Sequence, residues 1–335
     1  MKNKVQIIAE IGVNHNGDIN LAKKLIDEAK NAGADSVKFQ TFKAESLVTK
    51  KLKKTNYQNL NDKRDESQYS MLKRLELTLD MHKEIISYCK KRKIEFLSSG
   101  FDIESLDLLS DLGQKKFKIP SGEITNLPYL KHIAKIANSI ILSTGMSNLN
   151  EIRDAIDILE KNGVIRKKMT ILHCTSEYPA PFNEVNLLSM NTIKKEFDVS
   201  IGYSDHTKNI EVAIAAVALG ANIIEKHFTL KKELPGPDHR ASLEPNEFKN
   251  MVDAIRNIEA AMGLANKKPT KSENKNKLLI RKSIVAKKTI KLGETLNVSN
   301  LTIKRPGTGI SPMQLNKILG RKAIRKFIKD ELIEI

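Results

Sequence analysis

The stretch VSIGYSDHTKNIEVAIAAVALGANIIEKHFTL, residues 199–230, decides the fold. A short apolar run at Val199–Ile201 ends in Ser204, Asp205 and His206. A second run, Asn222–Ile224, ends at His227, and the apolar segment from Val212 to Ala221 lies between them. Strand, helix-length segment and strand in succession make a βα unit. The same unit recurs upstream, in runs at Val5–Ala9, Ser36–Phe39, Ile94–Leu97, Phe117–Ile119, Ser139–Leu142 and Met169–Leu172. Between the first two, Leu21, Leu25, Ile26, Ala29 and Ala32 fall at helical spacing, with Asp18 as N-cap and Gly33 past the last turn. A last helix is expected from Phe248 through Ile255 to Met262, ending at Gly263. Eight such units in about 260 residues match a closed (β/α)₈ TIM barrel. A doubly wound open sheet would not need polar residues at all eight strand ends. In a closed barrel those ends converge on one face, so residues distant in sequence share a pocket.

Composition bounds the function. The chain has 335 residues, 40% hydrophobic and 29% charged, with 57 Lys and Arg against 40 Asp and Glu, a net charge of +17. The bases are dispersed, aromatics are only 5% with no Trp, and no aromatic-basic RNA motif or DNA-reading helix is present. The excess charge reads as a lysine-rich solvated surface that draws in small anions, with no nucleic-acid partner expected. A non-catalytic polyanion-binding protein is the remote alternative. It would bind nucleic acid with steep salt dependence, and that binding would survive His206→Ala. No run reaches the roughly 20 apolar residues of a membrane helix, since Val212–Ala221 is bracketed by Glu211 and Asn222. Glu10 interrupts the first apolar run, and only Cys89 and Cys174 are present, so a cytoplasmic protein without membrane association is expected.

Residues 1–265 therefore read as the catalytic barrel. Residues 266–280, containing NKKPTKSENKNK, read as an exposed linker. Beyond it, Ser283–Ala286, Thr295–Val298 and Leu301–Ile303 read as strands of a small, mainly β domain spanning 281–335.

His206 and His227 end the seventh and eighth strands, which are neighbours in a closed barrel, so their imidazoles can share one metal ion. Two histidines without Cys suit an open site completed by carboxylate, water and substrate oxygen, with Mn²⁺ foremost and Mg²⁺ or Co²⁺ otherwise. Glu10 is the nearest candidate carboxylate. Lys38 and Lys118 end the second and fourth strands, where a buried ammonium requires an anionic partner. With the hydroxyls of Ser99, Ser121, Ser143 and Ser204 they make a place for a phosphate and a carboxylate together. No GxxxxGK loop, dinucleotide fingerprint or GxSxG elbow occurs.

Nine ordered motifs carry a family resemblance: AEIGVNHNG (9–17), GADSVKFQTFKA (33–44), FKIPSGEITNLPYL (117–130), ILSTGM (141–146), HCTSEYPAPF (173–182), GYSDHT (202–207), EKHFTL (225–230), GPDH (236–239) and KRPGTGISP (304–312). The chain resembles the bacterial sialic acid synthase family. That resemblance implies a TIM barrel followed by an antifreeze-like (SAF) domain. It also implies condensation of phosphoenolpyruvate with an open-chain N-acetylated hexosamine to give a nine-carbon 2-keto acid and phosphate. N-Acetylmannosamine is the acceptor expected first, and a 2,4-diacetamido-6-deoxy sugar the alternative. His206 and His227 resemble the Mn²⁺ ligands, and Lys38, Lys118, Ser99, Ser121, Ser143 and Ser204 the phosphoenolpyruvate cradle. Ser176 stands where some members carry Asn for phosphate contact. Gln40, Tyr178 and Asp238 resemble residues that hold the sugar hydroxyls, and Glu10 and Glu123 acidic groups near the metal and the attacking water. A homodimer is implied, in which the residue matching Arg305 reaches the sugar acetamido group in the partner's site. Where many relatives have STPFD this chain has SSGFD (98–102), a change expected to loosen the turn.

Overall fold

The N-terminal unit is built on eight strands: β1 (Gln6–Gly12), β2 (Ser36–Thr41), β3 (Glu95–Gly100), β4 (Lys116–Ile119), β5 (Ser139–Ser143), β6 (Met169–His173), β7 (Ser200–Asp205) and β8 (Ile223–His227). The computed structural model describes residues 4–62 and 64–335. The strands are hydrogen-bonded in the order β3-β2-β1-β8-β7-β6-β5-β4, every pairing parallel. The two ends of that order, β3 and β4, pack side by side and close the sheet into a TIM-like barrel. Helices follow the strands for the local reasons anticipated. The Asp18 carboxylate accepts from the Asn20 and Leu21 amides and starts helix Ile19–Asn31, whose Ala22, Leu25, Ile26 and Ala29 are buried. Asn148 and Glu151 form a capping box ahead of helix Leu149–Lys161, which buries Ile152, Ala155, Ile156 and Leu159.

Period-two alternation sorts the strand residues. Ile7, Ala9, Val37, Phe117, Ile140 and Ile201 join the helices in one large core. Ile8, Leu97, Ile141, Leu172 and Ile223, from five different strands, instead touch one another inside the barrel and form a dry floor. Gly202 makes room for it: a Cβ there would stand 2.4 Å from Leu172 Cδ2 and 2.7 Å from the Ile223 carbonyl.

Between β2 and helix Leu79–Arg92 runs a long segment with short helices Ala44–Leu47, Asn56–Asn61 and Gln68–Leu75. Its Met71 and Leu75 pack with Val13 and Phe42 as a separate small core, joined by Leu47, Leu72 and Phe101. Several of its charges pair internally: Lys73 with Glu45 and Glu76, and Arg74 with Asp62 and Glu66, while the buried Lys54 donates to the Asp62 carbonyl.

The compact units are Met1–Gly263 and Leu264–Ile335. The second has its own core of Ile284, Ala286, Ile290, Leu296, Leu301, Ile318, Ala323, Phe327 and Ile333. There β9 (Ser283–Ala286) pairs antiparallel with β10 (Leu301–Lys304). The 266–280 segment is exposed throughout and carries a helix, Lys271–Ile280, begun by a Thr270/Glu273 capping box. Two expectations are corrected. Thr295–Val298 is not a strand, and only an isolated bridge from Thr295 to Lys322 remains. Gly100 does not loosen a turn either. It closes β3 opposite Thr41, and a Cβ would stand 2.9 Å from Leu106 Cδ2, so its bareness lets helix Ile103–Asp111 approach the strand.

Candidate active site

One residue pair above the floor, seven of the eight strands turn a polar side chain into a cavity of about 340 Å³, and Cys174 and Ser176 enter it from just after β6. Lys38 and Lys118 are both only 4% exposed, and each has found a carboxylate. Lys38 Nζ lies 2.8 Å from Glu10 Oε2 and 3.7 Å from Glu225 Oε1, and Lys118 Nζ donates to Glu225 Oε1 at 3.0 Å. Lys38 also donates to Ser99 Oγ at 3.2 Å, Ser204 Oγ to Glu225 at 3.1 Å, and Gln40 Nε2 to Glu10 Oε1 at 3.1 Å. Two ammoniums and two carboxylates thus neutralise one another out of water. The carboxylates differ. Burial raises both, but the two lysines facing Glu225 outweigh it and bring that carboxyl down to about 2. Glu10 has one close lysine and Glu225 as a like-charged neighbour, and it stays above its usual range because of burial.

The imidazoles stand together on the adjacent β7–β8 side. The His206 and His227 rings are 5.6 Å apart, nearly edge to face, with the Tyr178 ring 4.2 Å from His206 and 5.5 Å from His227. His206 Nδ1 is 2.6 Å from the Thr175 carbonyl, which can only accept, so Nδ1 carries the proton and Nε2 keeps a lone pair. Burial brings His206 down to about 4 and His227 well below the usual histidine value, so both are neutral. His227 Nδ1 is buried without a hydrogen-bond partner, 4.0 Å from Asp238 Oδ2. Burial, helped by Glu10, pushes the Asp238 carboxyl up to about 7. Two neutral imidazoles with available lone pairs are the donor set of an open metal site. Among the described residues no group of three or more His, Cys, Asp or Glu is set to hold a metal.

The remaining hydroxyls line the same cavity. The Gly145 amide donates to Ser121 Oγ at 3.0 Å, and a Cβ on Gly145 would fall 2.1 Å from Ser176 Oγ and 2.8 Å from Ser121 Oγ. Ser121 and Ser176 therefore converge on one bare backbone amide, and Ser143 Oγ is buried without a partner beside them. Of the expected residues, Glu10, Lys38, Gln40, Ser99, Lys118, Ser121, Ser143, Ser176, Tyr178, Ser204, His206, His227 and Asp238 all line the cavity. Glu123 does not; it is buried nearby, accepts from Asn126 Nδ2 at 2.6 Å and is raised by burial and Asp102. Arg305 belongs to the C-terminal unit, where it is exposed just after β10.

Two partners escaped the sequence reading. Glu225 is the central carboxylate of the cluster, and its signal was alternation: it precedes His227 by two on one strand, hence on the same face. Lys226 points the other way and is wholly buried, donating to Asp205 at 2.8 Å and to the Thr207 and Asn209 carbonyls. That ammonium ties the loop after His206 to β8.

A closed βα barrel whose mouth holds two buried lysines, a ring of hydroxyls and two neutral imidazoles is an anion-binding barrel enzyme. A family model described as NeuB family matches residues 25–267, and the SAF domain model matches residues 281–334. The chain is 58% identical to the N,N'-diacetyllegionaminic acid synthase of Campylobacter jejuni, covering 98% of this chain and 99% of that protein. It is 48% identical to the N,N'-diacetyllegionaminic acid synthase of Legionella pneumophila, over 94% and 89%. Among solved structures it is similar to the N-acetylneuraminic acid (sialic acid) synthetase of Leptospira borgpetersenii, crystallised with citrate, at 34% identity and a TM-score of 0.73 over 82% of this chain and 90% of that one. The chain belongs to the NeuB family.

Proposed function

We propose that the protein is an N,N'-diacetyllegionaminic acid synthase, condensing phosphoenolpyruvate with 2,4-diacetamido-2,4,6-trideoxymannose and releasing phosphate. The observation that carries this reading is the 58% identity over nearly the whole of both chains with the Campylobacter jejuni synthase, supported by 48% with that of Legionella pneumophila. N-Acetylmannosamine, expected first from the motifs, accordingly becomes the second choice.

Lys38 and Lys118 take the phosphate and carboxylate of the enol substrate, whose arrival replaces part of the lysine–glutamate pairing. Ser99, Ser121, Ser143, Ser176 and Ser204 add hydroxyls in a site closed below by the apolar floor, with Ser121 held by the Gly145 amide. The methylene carbon attacks the sugar aldehyde carbon, water adds at C2, and the bond from C2 to the phosphate oxygen breaks. Glu10 is assigned to hold that water, and Gln40, Tyr178 and Asp238 orient the sugar hydroxyls. His206 and His227 would hold a divalent ion, Mn²⁺ foremost, which when bound supplies Lewis-acid polarisation of a carbonyl.

The test is phosphate release from phosphoenolpyruvate with Mn²⁺ and each sugar in turn, with the product identified by mass. The diacetamido sugar is expected to give the higher kcat/KM. Faster turnover of N-acetylmannosamine would return the assignment to a sialic acid synthase, and release with neither would overturn the synthase reading.

A further inference from the structure

The cavity is charged on one side and apolar on the other. Its apolar wall consists of Val13, Met71, Leu72, Leu75 and Phe101, three of them from the single helix Gln68–Leu75. Met71, Leu72 and Leu75 occupy one face of that helix, anchored in the small core under the long β2 loop. Among the described residues no charged side chain of the loop lines the cavity, and Lys73, Arg74, Glu66 and Asp62 pair with one another or with neighbours within the loop. Among the described residues, Gln58 is the one polar side chain of the loop that lines the cavity, and its Oε1 accepts from the Thr55 amide at 2.9 Å and from Gln68 Nε2 at 3.1 Å. A loop so rich in charge that shows the substrate almost none of it is arranged to contact something apolar.

We propose that the face of helix Gln68–Leu75, with Val13 and Phe101, is the subsite for the deoxygenated C6 end of the acceptor sugar. This deepens the functional reading above and rests on it. A C6 methyl group gains burial against this wall, whereas a C6 hydroxyl gives up its water partners to face a mainly apolar surface. The charged and hydroxyl-bearing side of the cavity is left for the enol substrate and for the hydroxyls at the other end of the sugar.

Two acceptors that differ by one oxygen test this: 2,4-diacetamido-2,4,6-trideoxymannose and its 6-hydroxy counterpart, 2,4-diacetamido-2,4-dideoxymannose. The wild-type protein is expected to favour the deoxy sugar in kcat/KM by about tenfold or more, the scale set by one buried group in an apolar pocket. Leu72 is half-buried, so Leu72→Gln is expected to fold and to reduce that preference by about fivefold, while Leu72→Met keeps it within about twofold. Val13→Thr, which exchanges one methyl for a hydroxyl at nearly constant shape, must move the preference the same way. Equal use of both sugars by the wild type, or an unchanged preference in folded Leu72→Gln and Val13→Thr, overturns the subsite. Turnover of neither sugar by the wild type, with phosphoenolpyruvate and Mn²⁺ present, overturns the functional reading instead.

Discussion

Lys118 Nζ donates at 3.0 Å to Glu225 Oε1, a carboxylate oxygen that also lies 3.7 Å from Lys38 Nζ. One buried oxygen thus balances two lysines from β2 and β4, the strands flanking β3, and Glu225 Oε2 has no hydrogen-bond partner.

Glu225→Gln leaves two buried ammoniums facing the single carboxylate of Glu10. Stripping one partner from a buried ion pair destabilises by about 3–5 kcal/mol, so the urea midpoint should fall by a corresponding amount. Inorganic phosphate supplies the missing negative charge and should raise the melting temperature of the variant more than that of the wild type. Equal phosphate effects on the two proteins would remove Glu225 from its central role.

His206→Ala and His227→Ala each take one lone pair from the imidazole side. Both variants should lose turnover and Mn²⁺ binding, measured by titration calorimetry, with a stability loss of no more than about 2 kcal/mol. Full activity in either would refute the pair as metal ligands.

Asp205 and Lys226 are wholly buried and face each other at 2.8 Å. Asp205→Asn removes the negative charge that balances this ammonium, leaving only carbonyl acceptors beside it, and should lower unfolding stability by about 3 kcal/mol. The double variant Asp205→Asn, Lys226→Met should recover most of that loss. A double variant as unstable as the sum of its single changes would show that the two residues act independently.

Stability should fall in acid in part through Asp35. Burial alone would raise this carboxyl, but the Lys4 ammonium, the Ile7 amide and the Arg256 guanidinium together hold it below its usual value. A carboxyl depressed in the folded state stabilises fully above its unfolded value of about 3.9, and that contribution is lost as pH falls through the lower folded value. Asp35→Asn should therefore lose less stability than the wild type between pH 5 and pH 3, read from urea midpoints.

Much of this architecture was legible because barrels repeat. Apolar runs marked the eight strands, and their polar endings marked the mouth, so thirteen cavity residues could be named from strand ends and motifs. The reading stopped short where charge entered a strand. Asn222–Ile224 was taken as the last run, yet β8 continues through Glu225 and Lys226 to His227, because each of those charges meets a partner on its own face of the sheet. No local pattern announces such compensation, since the partners lie on other strands. The Thr270-x-x-Glu273 cap in the lysine-rich connector was readable in principle but was hidden by its polar composition. Thr295–Val298 failed for the opposite reason: it has strand-like residues, but the small second core contacts it through turns rather than a ladder.

The plug formed by Ile8, Leu97, Ile141, Leu172 and Ile223 makes the pocket a blind shaft. Under the proposed function, an anion held by Lys38 and Lys118 next to this floor lies beneath the sugar, so it is expected to load first, and a surplus of sugar should slow turnover by barring its way.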